Sequence, residues 1–288
     1  MASLTPLSAR IALPLLSGLI IASAVVPGRG VAAILMPDFA SVPSGWATDR
    51  YDPTSFSNVG TYAGRSDVLG IGISDAGNLG NRPAAYQSSF YNTQGRQHAV
   101  SGGAGSSVSA DLYVPAAWGN STNGSRRSDA WGIMVDGAPA PAVVGYPIIG
   151  FTNYGGLPRL RAWDFQDRWI NLSDTVNYDA WNTLAFVFAG TSVEYRVNGA
   201  LAYTETNPQG AHAFSAVIMQ AYNFGDPAVT GALTNDYTAH WSNTPVPEPT
   251  SMALLLAGLL GLSVICRRRT RTRFNEGRTS STNSASGI

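Results

Sequence analysis

The stretch WNTLAFVFAGTSVEYRVNGALAY, residues Trp181 to Tyr203, decides the fold. Apolar residues alternate through Leu184, Phe186 and Phe188, a turn follows, and alternation resumes at Val193, Tyr195 and Val197. A period of two is the mark of a half-buried strand. Asn198-Gly199 then joins the second run to a third, and both residues tolerate the positive φ of a tight hairpin. Two registers are open. A two-residue loop pairs Val197 with Ala200 and sets Tyr195 opposite Ala202. A three-residue loop with a bulge pairs Val197 with Leu201 and Tyr195 with Tyr203. The second collects the apolar residues on one face, and since a one-residue slip exchanges the faces it is the favoured register.

The same pattern of short apolar alternations, broken by Gly, Pro, Asn and Asp, runs from about residue 45 to 243. Leu69, Ile71 and Ile73 mark one strand. Others are read over 108–114, 130–135, 147–152, 160–164, 201–204 and 214–221. No long 3.6-residue periodicity competes with them. So many short strands predict an all-β, two-sheet antiparallel sandwich.

The chain has 288 residues, room for one domain of about 200 residues with targeting segments at either end. All eighteen basic residues are Arg, and the acids also number eighteen, but the balance is local. Between Ile34 and Pro247 ten Arg face sixteen Asp or Glu, about −6, while six Arg follow residue 266. That mildly acidic centre lacks the basic surface that tracks phosphates, which argues against a nucleic-acid partner. The only cysteine is Cys266, so stability must come from buried apolar surface rather than disulfides.

Both ends read as targeting segments. Arg10 precedes the apolar run Ile11 to Val26, and small residues follow at Ala22-Ser23-Ala24 and Val31-Ala32-Ala33, so a signal peptide over 1–33 is expected, cleaved after Ala24 or, preferably, Ala33. At the other end SMALLLAGLLGLSVIC, residues Ser251 to Cys266, has no charge and abuts Arg267-Arg268-Arg269. As a helix it spans about 24 Å, short of a hydrocarbon core of about 30 Å, a gap that snorkelling arginine stems can close. The cluster marks the cytoplasmic side and leaves the domain outside the inner membrane.

Val246-Pro247-Glu248-Pro249, then this apolar segment, then the arginine cluster, resembles the PEP-CTERM sorting signal. The resemblance covers 245–273 and implies recognition by an exosortase, a membrane-embedded cysteine transpeptidase, with membrane attachment followed by release to the surface. It implies an address, not an activity. The Ser/Thr/Asn-rich stretch 274–288 departs from the family, whose members end soon after the basic cluster, and reads as a disordered tail.

The ectodomain, 34–244, has its own resemblance. The order tryptophan, strand, strand, Val-Asn-Gly, strand over 180–222 is similar to the second half of concanavalin A-like, or laminin-G-like, jelly-roll domains. That implies two antiparallel sheets, one concave, and a history of carbohydrate or glycoprotein binding. Glycosidases of this architecture place paired carboxylates on one strand as Glu-x-Asp-x-x-Glu, and no such run occurs here. The domain's two glutamates, Glu194 and Glu205, fall on opposite faces of the favoured hairpin. His98, His212 and His240 are isolated, without zinc-ligand spacing, and no nucleophile elbow or phosphate-binding loop is present.

No catalytic residue and no metal site is therefore assigned, and the sandwich is expected to be non-enzymatic. Calcium is left open as a rim ion, with Asp136, Asn153 and Asp226 as its oxygen donors. The remaining lead is aromatic: Tyr154, Trp163 and Trp169 lie within Gly150 to Asn171, where rings would stack on sugars while Arg161 and Asp164 bond hydroxyls. The expected function is a surface-held module that binds carbohydrate or extracellular polysaccharide. The alternatives are a jelly-roll hydrolase or lyase and a purely structural matrix protein.

Overall fold

Residues 33–166, 168–206, 208–224 and 236–243 are described by the structure, a computed structural model. The leader expected over 1–33 (Ala33 apart), the membrane helix expected over 251–266 and the tail expected over 274–288 lie outside them. Among the described residues no helix is long and apolar enough to cross a membrane.

The strands in chain order are β1 (Trp46–Thr48), β2 (Ser55–Asn58), β3 (Leu69–Ile73), β4 (Thr93–Gly102), β5 (Ser107–Val114), β6 (Arg127–Val135), β7 (Val143–Gly145) and β8 (Ile148–Thr152). They continue as β9 (Arg159–Asp164), β10 (Arg168–Asn171), β11 (Ala180–Phe188), β12 (Val193–Val197), β13 (Ala200–Glu205), β14 (Ala213–Tyr222) and β15 (Tyr237–Ser242). The larger sheet runs β1-β4-β14-β6-β8-β9-β10, with β7 also paired to β6, and the smaller runs β13-β12-β11-β5-β15-β3-β2. Every named pairing is antiparallel. The architecture is all-β and two-layered, consistent with a jelly-roll sandwich.

The core lies where the two inner faces meet. On β11 and β12 the alternation read from sequence holds: Leu184, Phe186 and Phe188 are buried, as are Val193, Tyr195 and Val197. Phe214, Val217 and Met219 of β14 and Ile149 and Phe151 of β8 meet them from the larger sheet. Burying each such side chain is worth about 1.5–3 kcal/mol. Phe186 and Phe214 join the layers directly, their ring centroids 5.7 Å apart.

The hairpin combines the two registers. Asn198 and Gly199 form a two-residue turn at φ 49° and 82°, pairing Val197 with Ala200. A bulge between Tyr195 and Arg196 in the β12/β13 ladder then restores Tyr195 to Tyr203. The turn is tighter than expected because its Asn-Gly pair accepts positive φ without strain, and the bulge moves into the strand, where it still puts the tyrosines on the inner face. Glu205 pairs with Val193 and is buried, whereas Glu194 pairs with Thr204 on the other face. Strand β3, read as half-buried, is buried at all five residues.

Six strands went unread in the sequence: β1, β2, β4, β7, β10 and β15. They are short, or, like TQGRQHAVSG in β4, carry polar residues on both faces. Burial of polar side chains on both faces recurs in the centre of the larger sheet, and that is where the candidate site lies.

Candidate functional site

Asp129 of β6 and Gln220 of β14 are fully buried, although they point away from the smaller sheet. Their strands are neighbours, and the pairing register builds one row across the outer face: Gly95, Gln220, Asp129, Gly150, Arg161 and Asn171, on β4, β14, β6, β8, β9 and β10. Two residues along each strand, a parallel row reads Gln97, Ile218, Trp131, Ile148, Trp163 and Trp169. A polar row thus lies beside an apolar, aromatic one.

The polar row is charged. Asp129 Oδ2 accepts from Arg127 Nε at 2.5 Å and from Gln220 Nε2 at 3.2 Å. Its other oxygen leans across Gly150, where a Cβ would collide with Asp129 Oδ1 and with the Ser128 carbonyl. Gly95 is similarly closed to a side chain by Gln220 and the Met219 carbonyl. Four buried polar atoms here have no hydrogen-bond partner in the protein: Asp129 Oδ1, Gln220 Oε1, Arg161 Nε and Trp131 Nε1. Leaving such an atom unpaired costs about 1–3 kcal/mol.

The rings form a connected series. Tyr154 stacks on Phe224 with centroids 4.4 Å apart, Phe224 meets Tyr222 at 4.3 Å, and Arg127 lies 4.8 Å over both Tyr222 and Trp169. Arg161 covers Trp169 at 3.6 Å, and Trp169 meets Trp163 edge-on at 4.9 Å. At the opposite side of the face, Arg50 sits 4.7 Å over Trp131 and 4.8 Å over the exposed Phe90. Burial first, and then the like charge of Arg127, push the Arg161 guanidinium down to about 9.

Of the five residues named from sequence, Tyr154, Arg161, Trp163 and Trp169 come together on this face. Trp163 and Trp169 pack with Trp131, Ile148 and Ile218 in a cluster separate from the main core. Asp164 does not join them. It lies three residues after Arg161, so alternation turns it inward, where its carboxylate accepts from Arg168 Nε at 2.8 Å and from the Tyr203 hydroxyl at 3.1 Å. Asp129, Gln220 and Arg127 were missed. The signal for them was an alternation carrying Arg127, Asp129 and Trp131 on one face of β6, which a core strand would not tolerate.

Of the residues named for calcium, Asp136 and Asn153 bond to backbone groups of the protein. Asp136 Oδ1 accepts from the Ala138 and Ala142 amides at 3.2 and 3.1 Å. Asn153 is buried and staples loops, accepting from the Arg126 amide at 2.6 Å and donating to the Trp118 and Gly124 carbonyls. Asp226 lies outside the described residues. Among the described residues no group of three or more His, Cys, Asp or Glu is assembled.

Comparison with known proteins adds two findings. Residues 245–269 match the PEP-CTERM protein-sorting motif, which includes Val246, Pro247, Glu248, Pro249 and Arg267 to Arg269. Among curated proteins none matches the chain. Among solved structures, a Bacillus licheniformis β-glucanase is similar at 13% identity and a TM-score of 0.39, covering 71% of this chain and 94% of its own. A glycoside hydrolase family 16 endo-glucanase from Bacteroides ovatus is similar at 12% identity and a TM-score of 0.40, covering 71% and 97%. A carbohydrate-binding module from Bacillus subtilis is similar at 11% and 0.35, covering 69% and 92%.

Glucanases and a transglycosylase stand among the similar structures beside a carbohydrate-binding module; the likeness is one of fold alone, and the expectation of a non-enzymatic sandwich is withdrawn. The expectation rested on the missing Glu-x-Asp-x-x-Glu run, which excludes one arrangement of carboxylates and leaves Asp129 on the outer face unweighed. The motif implies export and membrane attachment through the C-terminal segment. The chain carries a PEP-CTERM protein-sorting motif at residues 245–269, and its two-sheet domain is similar to jelly-roll glycoside hydrolases and carbohydrate-binding modules.

Proposed function

We propose that the protein is an exosortase-sorted surface protein whose larger sheet binds a glycan along its outer face. The observation that carries this reading is the pairing of two adjacent rows, one with three unpartnered buried polar atoms and one with three tryptophans, of which Trp131 brings a fourth such atom. A sugar presents both complements at once: hydroxyls that donate and accept, and an apolar ring face that stacks on indole. Exosortase recognition at Pro247-Glu248-Pro249 would first hold the domain outside the inner membrane and then release it.

A second reading, cleavage of the bound glycan as a hydrolase or lyase, is favoured by Asp129, a carboxylate at the centre of the row with one free oxygen. Hydrolysis by paired carboxyls needs a partner within about 9.5 Å. Asp49, whose amide bonds the Gly95 carbonyl at 3.1 Å, continues the same row, but it stands three strand spacings from Asp129, about 14 Å at Cα. Elimination, which needs a single base, is the cleavage this geometry suits better.

The test is a glycan-array screen of the full chain in detergent, followed by incubation with each binder. Binding that weakens at least tenfold in Trp169→Ala supports the first reading, and no binding to any glycan overturns it. New chain ends, lost in Asp129→Asn, support the second; their absence with every binder overturns it.

A further inference from the structure

We infer that the glycan this face accepts is acidic, with a carboxylate on the sugar docking beside Arg161 and Arg127; the inference rests on the glycan-binding reading above. The charges are unbalanced. Arg127, Arg159 and Arg161 all project from the outer face, in the polar row and the row next to it, and Asp129 is the carboxylate beside them; Asp49, at the far end of the polar row, is paired with Arg50. Asp129 is committed to Arg127.

Arg159 gives its Nε to Asn171 Oδ1 at 2.8 Å, a neutral acceptor, and its Nη1 to the Tyr154 carbonyl at 3.0 Å. Arg161 is buried, its Nε has no partner, and among the described residues no carboxylate forms an ion pair with it. It keeps its charge at neutral pH, as guanidinium does.

Among the described residues no carboxylate lies within ion-pair distance of Arg161, Asp129 acts on it only from farther off, and the guanidinium is held in place by stacking on Trp169 rather than by a salt bridge. The guanidinium edge is a planar fork suited to two parallel bonds with a carboxylate. The Trp163 and Trp169 rings lie beside that edge, so the apolar face of the sugar bearing the carboxylate has a platform next to its anion. The ectodomain as a whole is acidic, about −6, so an anionic polymer would be drawn to this one locus and not to the general surface.

The experiment pairs galacturonate, mannuronate and glucuronate hexamers with their carboxyl-reduced neutral counterparts in titration calorimetry on the full chain in detergent. The expected result is an acid member bound about ten- to a hundredfold tighter than its neutral twin at low salt, as one charge-assisted bidentate contact supplies. That ratio should fall as salt rises. It should collapse to about one in Arg161→Met, which replaces the guanidinium by an uncharged side chain of similar reach, and be intermediate in Arg161→Lys, which keeps the charge but loses the fork. Arg196→Gln removes the same charge from the other sheet and should leave the ratio unchanged. Thermal unfolding of each variant checks folding, and Arg161→Lys carries the test if Arg161→Met fails to fold.

Neutral hexamers bound as tightly as acidic ones would overturn the inference and leave the glycan reading standing. No hexamer binding at all would overturn the inference, and the glycan array would decide the reading beneath it. Inorganic sulfate bound as tightly as the acidic hexamers would reduce the locus to a simple anion site and overturn the inference.

Discussion

Gln220 Nε2 donates to Asp129 Oδ2 at 3.2 Å across the β14/β6 ladder, so the acid that binds Arg127 is shared by donors from neighbouring strands 91 residues apart in the chain. Both partners are fully buried, and the bonds at Oδ2 hold the carboxylate with its second oxygen over Gly150. Removing the negative charge strands Arg127 in the interior. Asp129→Asn should therefore lower stability by about 3–5 kcal/mol in urea unfolding. A loss below about 1 kcal/mol would mean that the pair is solvated and the row is not a buried network.

Gly150 is required by contact, not by backbone conformation. A methyl group there meets the Asp129 carboxylate and the backbone oxygen of Ser128, so the carboxylate or the strand must shift. Gly150→Ala should destabilise the protein by about 1–3 kcal/mol and displace Asp129 enough to weaken glycan binding at least tenfold. Gly103→Ala, whose added Cβ meets nothing nearer than 3.8 Å, is the control and should leave binding unchanged.

His240 stacks flat on Tyr62, centroids 3.7 Å apart, and its burial lowers its pKa from the usual 6.5. The folded state therefore prefers the neutral ring. As pH falls through 6.5 the unfolded chain takes up a proton that the folded chain still refuses, so stability declines until the folded pKa is reached. Melting temperature measured from pH 7.5 down to 5 should show this decline, and His240→Phe, which keeps the stack, should flatten it. An unchanged acid limb in that variant would assign the decline to carboxylates instead.

The sorting motif makes a cellular prediction. Replacing Pro247, Glu248 and Pro249 with Ala should leave the full-length chain in the membrane fraction of an exosortase-bearing host, with no shorter species at the surface. Immunoblots of fractionated cells with an antibody to the ectodomain would show it. Equal release of the native and substituted chains would separate this segment from processing.

How much of this was open to sequence reading follows from distance along the chain. Trp163 and Trp169 were named from their nearness within Gly150 to Asn171, and they meet in the structure because β9 and β10 are consecutive and pair one with the other. Asp164 was included by proximity alone, and strand alternation, applied strictly, would have turned it away from Arg161. That Asn198-Gly199 forms the hairpin turn and that a bulge sets Tyr195 opposite Tyr203 were legible, the first as a backbone property of two residues, the second from apolar alternation. The two-residue length of the turn and the place of the bulge within the strands were not, because they depend on how the ladder fits against the core.

The sequence by itself determined a two-sheet β domain with a sorting motif, since period-two alternation and the order of Pro-Glu-Pro, apolar run and arginines are written in adjacent residues. Only the tertiary structure decided that Gly95, Gln220, Asp129, Gly150 and Arg161 form one row. Alternation says which face a residue takes but not which strand lies beside it. In this sandwich β14 inserts between β4 and β6, so the site is set by long-range pairing that no local pattern encodes.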